Sequence, residues 1–400
     1  MPKSILVSLI SDQTSPNVQL IKELKEHVDS YLFISTEKME KKGIRRWVEE
    51  ASNVHGETIE VEEFSSSDID TKLRSFDFNA FDKVYVNLTG GTKVMTLVAA
   101  SFFESIGAEI FYITGRYNEF VKVFPVSDDP IATFKNNISL KEYLTAYGFE
   151  FRESEASGVP IEVTQQLYQS FIGLDIFDFV EEMEFLSSRR RKKKGVPADS
   201  MHSIARLLNA LHYKEGENSL TDKDVRYLTG DWFEEYIGFS IKKELGLPDE
   251  DILIGAELIK EPSGTPRNVN MQLVGTQIDK NLDANKNEMD VMFMYDNRFY
   301  TIECKTSIIV VKQNKQGQTN HQFGQILGET LYKSDSLKNR FGLFANTNII
   351  TLTDLASYCA KDKSNLKTIS ACIDRANLSN IKIIDLPMLL GSSSLFNLIK

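Results

Sequence analysis

Met289-Asp290-Val291-Met292-Phe293-Met294-Tyr295-Asp296-Asn297-Arg298-Phe299-Tyr300-Thr301-Ile302-Glu303-Cys304-Lys305 sets two apolar, β-rich runs either side of an Asp-Asn pair. That is the pattern of a β-hairpin. With Asp296-Asn297 as a two-residue turn, Tyr295 pairs with Arg298, paired positions sum to 593, and Asp290 falls opposite Glu303. Directly opposed side chains share a face, with Cβ atoms about 5 Å apart. Lys305, two residues on, shares that face, and Cys304 points the other way. Two opposed carboxylates repel unless a cation lies between them. Hard oxygen donors suit Mg²⁺ or Mn²⁺. A neighbouring lysine can orient or deprotonate an attacking water, or offset charge on a phosphate in transfer. Asp290, Glu303 and Lys305 therefore point to metal-assisted phosphodiester hydrolysis. The plainer alternative is a surface hairpin with a solvated ion pair, and a longer turn would flip a face.

The spacing Asp-x12-Glu-x-Lys resembles the core of PD-(D/E)XK nucleases. That resemblance implies a further acid from a helix ahead of the hairpin, and Thr229-Gly230-Asp231-Trp232-Phe233-Glu234-Glu235-Tyr236-Ile237 fits it. Asp231 is expected to cap this helix, and Trp232, Phe233, Tyr236 and Ile237 form its apolar face. The resemblance favours Glu234, with Glu235 next, and so implies a metal set of Glu234, Asp290 and Glu303. Downstream, the polar stretch 312–320 is expected to be a mobile loop. Residues 325–333 should be a helix with Lys333 in solvent, or else on a phosphate, and 341–346 and 381–384 further strands.

The first 150 residues alternate short apolar runs with helical patterns. Strands are expected at 5–10, 31–34, 58–61, 84–86 and 110–113, and helices around Val18–Leu24, Ile44–Val48, Ile69–Leu73 and Val94–Ile106. Such alternation implies a Rossmann-like, doubly wound parallel sheet. Its ligands bind outside the carboxyl ends of the strands. Two polar loops belong there: Ser11-Asp12-Gln13-Thr14-Ser15-Pro16-Asn17 and Asn87-Leu88-Thr89-Gly90-Gly91-Thr92-Lys93. In the second, Gly90 and Gly91 allow close backbone approach, a helix N-terminus follows, and Thr89, Thr92 and Lys93 add donors, which together suit a phosphate. The loop matches neither GxxxxGK[ST] nor GxGxxG, so ATP hydrolysis and NAD binding lose support. A tight strand–helix turn with a solvated lysine is the alternative.

These two loops resemble those of CARF domains, the CRISPR-associated Rossmann folds that bind cyclic oligoadenylates and usually dimerise around the ring. The resemblance implies a ligand pocket lined by Ser11, Asp12, Gln13, Thr14, Asn17, Asn87, Thr89, Gly90, Gly91, Thr92 and Lys93, with Arg116 a weaker candidate. Between the halves, 161–186 and 201–211 read as helical. Arg189-Arg190-Arg191-Lys192-Lys193-Lys194 is expected to be a hydrated loop, or else a phosphate-backbone contact beside a nuclease site.

The expected fold is α/β: an N-terminal Rossmann-like CARF domain (1–150), a small helical or winged-helix-like connector (151–228), and a C-terminal restriction-endonuclease-like PD-(D/E)XK domain (229–400). CARF followed by PD-(D/E)XK resembles the ancillary nucleases of type III CRISPR defence. That resemblance implies a homodimeric endonuclease, activated by cyclic tetra-adenylate and cutting DNA or RNA with Mn²⁺ or Mg²⁺. The alternatives are a ligand-responsive nucleic-acid-binding regulator without cleavage, and an enzyme whose N-terminal domain also degrades its activator. A net charge of −11 argues against binding nucleic acid by bulk charge. Three scattered cysteines, no leader-like start and no long apolar window lead us to expect a cytoplasmic protein without a membrane span. Five histidines without ligand spacing make a zinc site improbable.

Overall fold

The computed structural model describes residues 3–115, 118–155, 157–260, 286–308, 310–313, 319–322, 325–343, 345–361 and 363–400. The N-terminal half runs β1 (Ser4–Leu9), α1 (Ser15–Leu24), β2 (Ser30–Ser35), α2 (Glu37–Lys42), α3 (Ile44–Ser52), β3 (Glu57–Glu60), α4 (Ser66–Ser75), β4 (Lys83–Asn87), α5 (Lys93–Ser105) and β5 (Glu109–Ile113). Strands β3-β2-β1-β4-β5 are parallel neighbours in that order. This is the doubly wound sheet expected from the alternation. Two antiparallel strands outside the sequence reading, β6 (Glu119–Phe124) and β7 (Ile131–Thr133), extend it.

After α6 (Leu140–Ala146), β8 (Phe149–Glu153) leaves the first sheet and becomes the edge of the second. The segment 161–186 is not one helix. α7 (Ile161–Ile172) stops at Gly173, and α8 (Val180–Arg191) starts anew. α9 (Ala205–Leu211) and α10 (Asp222–Arg226) complete the connector, which lead into α11 (Trp232–Leu245). The second sheet has the order β15-β14-β11-β10-β9-β8. It is built from β9 (Ile252–Lys260), β10 (Lys286–Tyr295), β11 (Arg298–Lys305), β14 (Asn346–Thr351) and β15 (Ile381–Ile384), with β8 at its edge. Residues 312–320 are not simply a loop: β12 (Val310–Gln313) pairs antiparallel with β13 (Thr319–Gln322), and 314–318 lie outside the described residues. The strand expected from Phe341 begins at Asn346. Phe341 instead follows the helix Gln325–Lys338 as a buried plug.

Apolar faces decide the stacking. One core holds Val18, Trp47, Tyr143 and Leu144 from α1, α3 and α6 together with Met292, Met294 and Phe299 of the hairpin and Phe341. The three helices thus lie between the two sheets and serve both. α4 and α5 cover the outer face of the first sheet. α7, α8, α9 and α11 cover the far face of the second, where Val291, Phe293, Tyr300 and Ile302 point. Each fully buried large side chain stabilises by about 1.5–3 kcal/mol.

Candidate active site and ligand loops

Asp296 and Asn297 both have left-handed backbone (φ 49° and 56°), as a two-residue hairpin turn requires. Pairing then runs from Tyr295↔Arg298 to Val291↔Ile302, the register that sums to 593. There the ladder ends, one step short of Asp290 and Glu303. A continued ladder would give the Cys304 N–H to the backbone of β10. It goes instead to Asp290 Oδ2 at 2.7 Å. On the other side Gly255 of β9, opposite Asp290, takes a left-handed φ of 61°, which glycine tolerates. Met289 packs in the core between the sheets and Val291 on the opposite face, although residues two apart in a regular strand share a face. The strand therefore kinks at Asp290 and aims its carboxylate at β11.

The convergence is close. Lys305 Nζ lies 3.0 Å from Asp290 Oδ2 and 3.4 Å from Glu303 Oε2. Asp290 and Glu303 are 5% and 2% exposed, so neither charge is relieved by water. Burial raises the Glu303 pKa, the Asp290 charge adds to this, and Lys305 and Lys333 oppose it. For Lys305 burial acts downward, but Asp290 and Glu303 outweigh it and hold the amine above its ordinary value. The charged form of the amine is thus favoured, which suits it to offsetting charge. Cys304 points into the opposite core.

Glu234, in the first turn of α11, faces this cluster. Its pKa is pushed well up by burial, then by the charges of Asp290 and Asp231. Glu235 turns elsewhere, toward Ser157 and Tyr227, so the two adjacent acids divide. Asp231 does not cap α11 through its side chain. It is bound by Arg190 at 3.1 Å and Arg226 at 3.5 Å. The basic run is thus not all loop: Arg189–Arg191 form the last turn of α8, Arg189 donates to the Gly195 carbonyl, and Arg190 also reaches Thr229. Only Arg191–Lys194 are exposed. Lys333, expected in solvent, donates to Glu303 Oε1 at 2.7 Å. The sequence signal for it was its place on a helix whose Leu327, Leu331 and Leu337 face the protein. Among the described residues no three His, Cys, Asp or Glu groups stand ready to hold an ion, and the ammonium of Lys305 occupies the cation position between Asp290 and Glu303. Asp290 and Glu303 are hard oxygen donors of the kind a divalent cation takes, and Glu234 faces them from α11.

The two polar loops meet at the carboxyl ends of β1 and β4. Asn87 Nδ2 donates to Asn17 Oδ1 at 2.9 Å, and Asn17 Nδ2 to the Leu9 carbonyl at 3.0 Å. Thr14, Asn17 and Asn87 are fully buried, and the two asparagines staple the loops together. Thr92 caps α5 and donates its hydroxyl to the Glu63 carbonyl at 2.9 Å, so it is not the free donor expected. Thr89 Oγ1 accepts the Ile113 N–H. Gly90 is required for packing: a Cβ there would stand 2.1 Å from the Leu9 carbonyl oxygen. Ser11, Gln13, Gly91 and Thr89 are partly exposed, and Asp12 and Lys93 exposed. Asp12 pairs with Lys42 at 2.7 Å. Arg116 lies outside the described residues.

Residues 5–143 match the Card1 CARF domain family, and residues 221–369 the Card1-like endonuclease domain family. Among solved structures, protein VC1899 from Vibrio cholerae is similar at 18% identity and a TM-score of 0.68, covering 96% of this chain and 95% of its own. Can2 from Sulfobacillus thermosulfidooxidans, in complex with cyclic tetra-adenylate, is similar at 20% identity and a TM-score of 0.67, covering 99% of each chain. No curated protein matches at a significant level. No helix among the described residues is long and apolar enough to cross a membrane. With the two domain matches in this order, the chain carries a CARF domain of the Card1 family followed by an endonuclease domain of the Card1-like family.

Proposed function

We propose that the protein is an endonuclease switched on by cyclic tetra-adenylate, hydrolysing phosphodiester bonds of DNA, and of single-stranded DNA or RNA, with Mn²⁺ or Mg²⁺. The observation that carries this reading is the meeting of Asp290 and Glu303 on the Lys305 ammonium at the point where the hairpin ladder opens, with Glu234 facing them from α11. A divalent cation held by these carboxylates would supply Lewis acidity and a more acidic bound water. Lys305, kept protonated, would lie against the charge that builds on the phosphate. The exposed cations 191–194, at the end of α8 beside α11, offer the phosphate backbone a sequence-independent contact.

The ligand side rests on the exposed part of the loops, Ser11–Gln13 and Thr89–Lys93, beside the N-terminus of α5. The Can2 complex, with the same fold, supports a ring of four adenylates as occupant. Lys93 at the first turn of α5 would meet a ring phosphate. We place the protein in the cytoplasm as a homodimer, each copy contributing half of the ring site.

Plasmid and single-stranded DNA incubated with Mn²⁺, with and without cyclic tetra-adenylate, test the reading. Cleavage should need both ligand and metal, and Glu303→Ala or Lys305→Ala should reduce it by about 100-fold or more. Wild-type rates in either variant would remove the site assignment. Binding of a defined DNA site in EDTA without later cleavage would favour a regulator instead.

A further inference from the structure

Gln13, at the exposed edge of the first ligand loop, has a partner in the nuclease half. Its amide oxygen accepts the Leu343 N–H at 2.9 Å. Leu343 lies in the turn that follows the helix Gln325–Lys338, and that helix carries Lys333 to Glu303. Two more groups of the N-terminal half grip the same turn. Tyr143 donates its hydroxyl to the Phe341 carbonyl. Tyr147, whose hydroxyl lies 3.2 Å from Ser15 Oγ, packs on Gly342. Gly342 has φ +89°, and a Cβ there would come 2.2 Å from the Tyr147 hydroxyl and 3.0 Å from Gln13 Oε1. Only glycine allows so close an approach. Of the three gripping side chains the two tyrosines are buried, and Gln13 alone borders solvent at the ligand loop.

At the other end of this path Glu303 has both oxygens engaged by ammonium groups, Oε2 by Lys305 and Oε1 by Lys333. An ammonium on each oxygen already offsets the charge of Glu303 and so weakens its hold on another cation. A glutamine amide is also the side chain whose donor and acceptor match an adenine edge. An adenylate ring in the loop would therefore compete with Leu343 for Gln13.

We propose that Gln13 is a latch between the ligand loop and the catalytic carboxylates. While it holds Leu343, the end of the helix is fixed and Lys333 stays on Glu303; a ring that engages Gln13 frees the turn, and Lys333 leaves Glu303. The idea rests on the reading of 11–17 as a ligand loop and adds its route to the nuclease. In physical terms the ring selects the unlatched state.

Hydrogen exchange on the full chain in metal-free buffer, with and without cyclic tetra-adenylate, reads the latch directly. The Leu343 amide and the helix 325–338 should exchange faster with ligand bound. Gly342→Ala, which wedges the turn open without touching ring or carboxylates, should lose Leu343 protection without ligand. It should also bind the ring about five-fold more tightly, the equilibrium value of one hydrogen bond no longer broken on binding. Lys333→Met weakens the same latched state from the far end and should tighten binding likewise, whether or not the alanine variant folds. If the ring binds the wild type while Leu343 protection is unchanged, or if both variants bind it with wild-type affinity, the latch is wrong and the ligand reading stands. If the ring does not bind the wild type, both fall.

Discussion

Glu234 illustrates the conflict between stability and chemistry at the scale of a residue. Its carboxyl is buried beside Asp290 and Asp231, so its pKa is raised. A raised carboxyl contributes stability that is fully present below its ordinary value and lost as pH climbs through the folded value. At neutral pH the ionised side chain therefore works against folding. Glu234→Gln removes that charge with little change of shape. We expect it to raise the unfolding temperature of the metal-free protein, by about 2–4 °C per kcal/mol of repulsion relieved, with the gap over wild type widening from pH 4 to pH 8, while cleavage is lost. A gap that is flat with pH, or a less stable variant at neutral pH, would contradict the placement of this group. The neighbouring residue shows why such assignments need tertiary information: Glu235 differs by one position on the helix and goes to Ser157 and Tyr227.

At the scale of the element, the hairpin β10–β11 is held at its tip by the other half of the chain. Asn297, 8% exposed, accepts from Ile138 N–H at 2.7 Å through Oδ1 and donates to Asn118 Oδ1 at 2.7 Å. Its carbonyl accepts from Gln19 Nε2 at 3.1 Å. Asn297→Gly keeps the left-handed turn but deletes these two side-chain bonds and a longer third to the Asn136 carbonyl at 3.5 Å, at about 1 kcal/mol for each of the two short ones. The denaturant midpoint should fall accordingly, with the slope unchanged. A midpoint equal to wild type would mean that the clamp adds nothing. The register of this hairpin was legible because Asp-Asn marks the turn and every flanking position out to Val291 and Ile302 follows from counting. The end of the ladder was not legible, because it comes from Gly255 on a strand more than thirty residues upstream.

For the whole molecule, the core between the sheets is shared. Trp47 and Tyr143 from the N-terminal half and Met292, Phe299 and Phe341 from the nuclease half occupy one cluster. Neither half can leave without exposing the other's apolar face. The full chain should therefore unfold in a single cooperative calorimetric transition. Two well-separated transitions would show that the halves are stable apart.

The sequence by itself determined the elements and their chemistry. Strand–helix alternation specified the parallel first sheet, and the Asp-Asn turn placed Asp290 and Glu303 near one another. Periodicity and turn residues are local quantities, carried by neighbours along the chain. Only the tertiary structure decided which polar residues remained available. It buried Thr14, tied Asn87 to Asn17 as a staple, committed Thr92 to a cap, drew Arg190 to Asp231 and brought Lys333 to Glu303. Those outcomes depend on groups distant in sequence competing for the same hydrogen bonds and charges, and no local pattern encodes who wins.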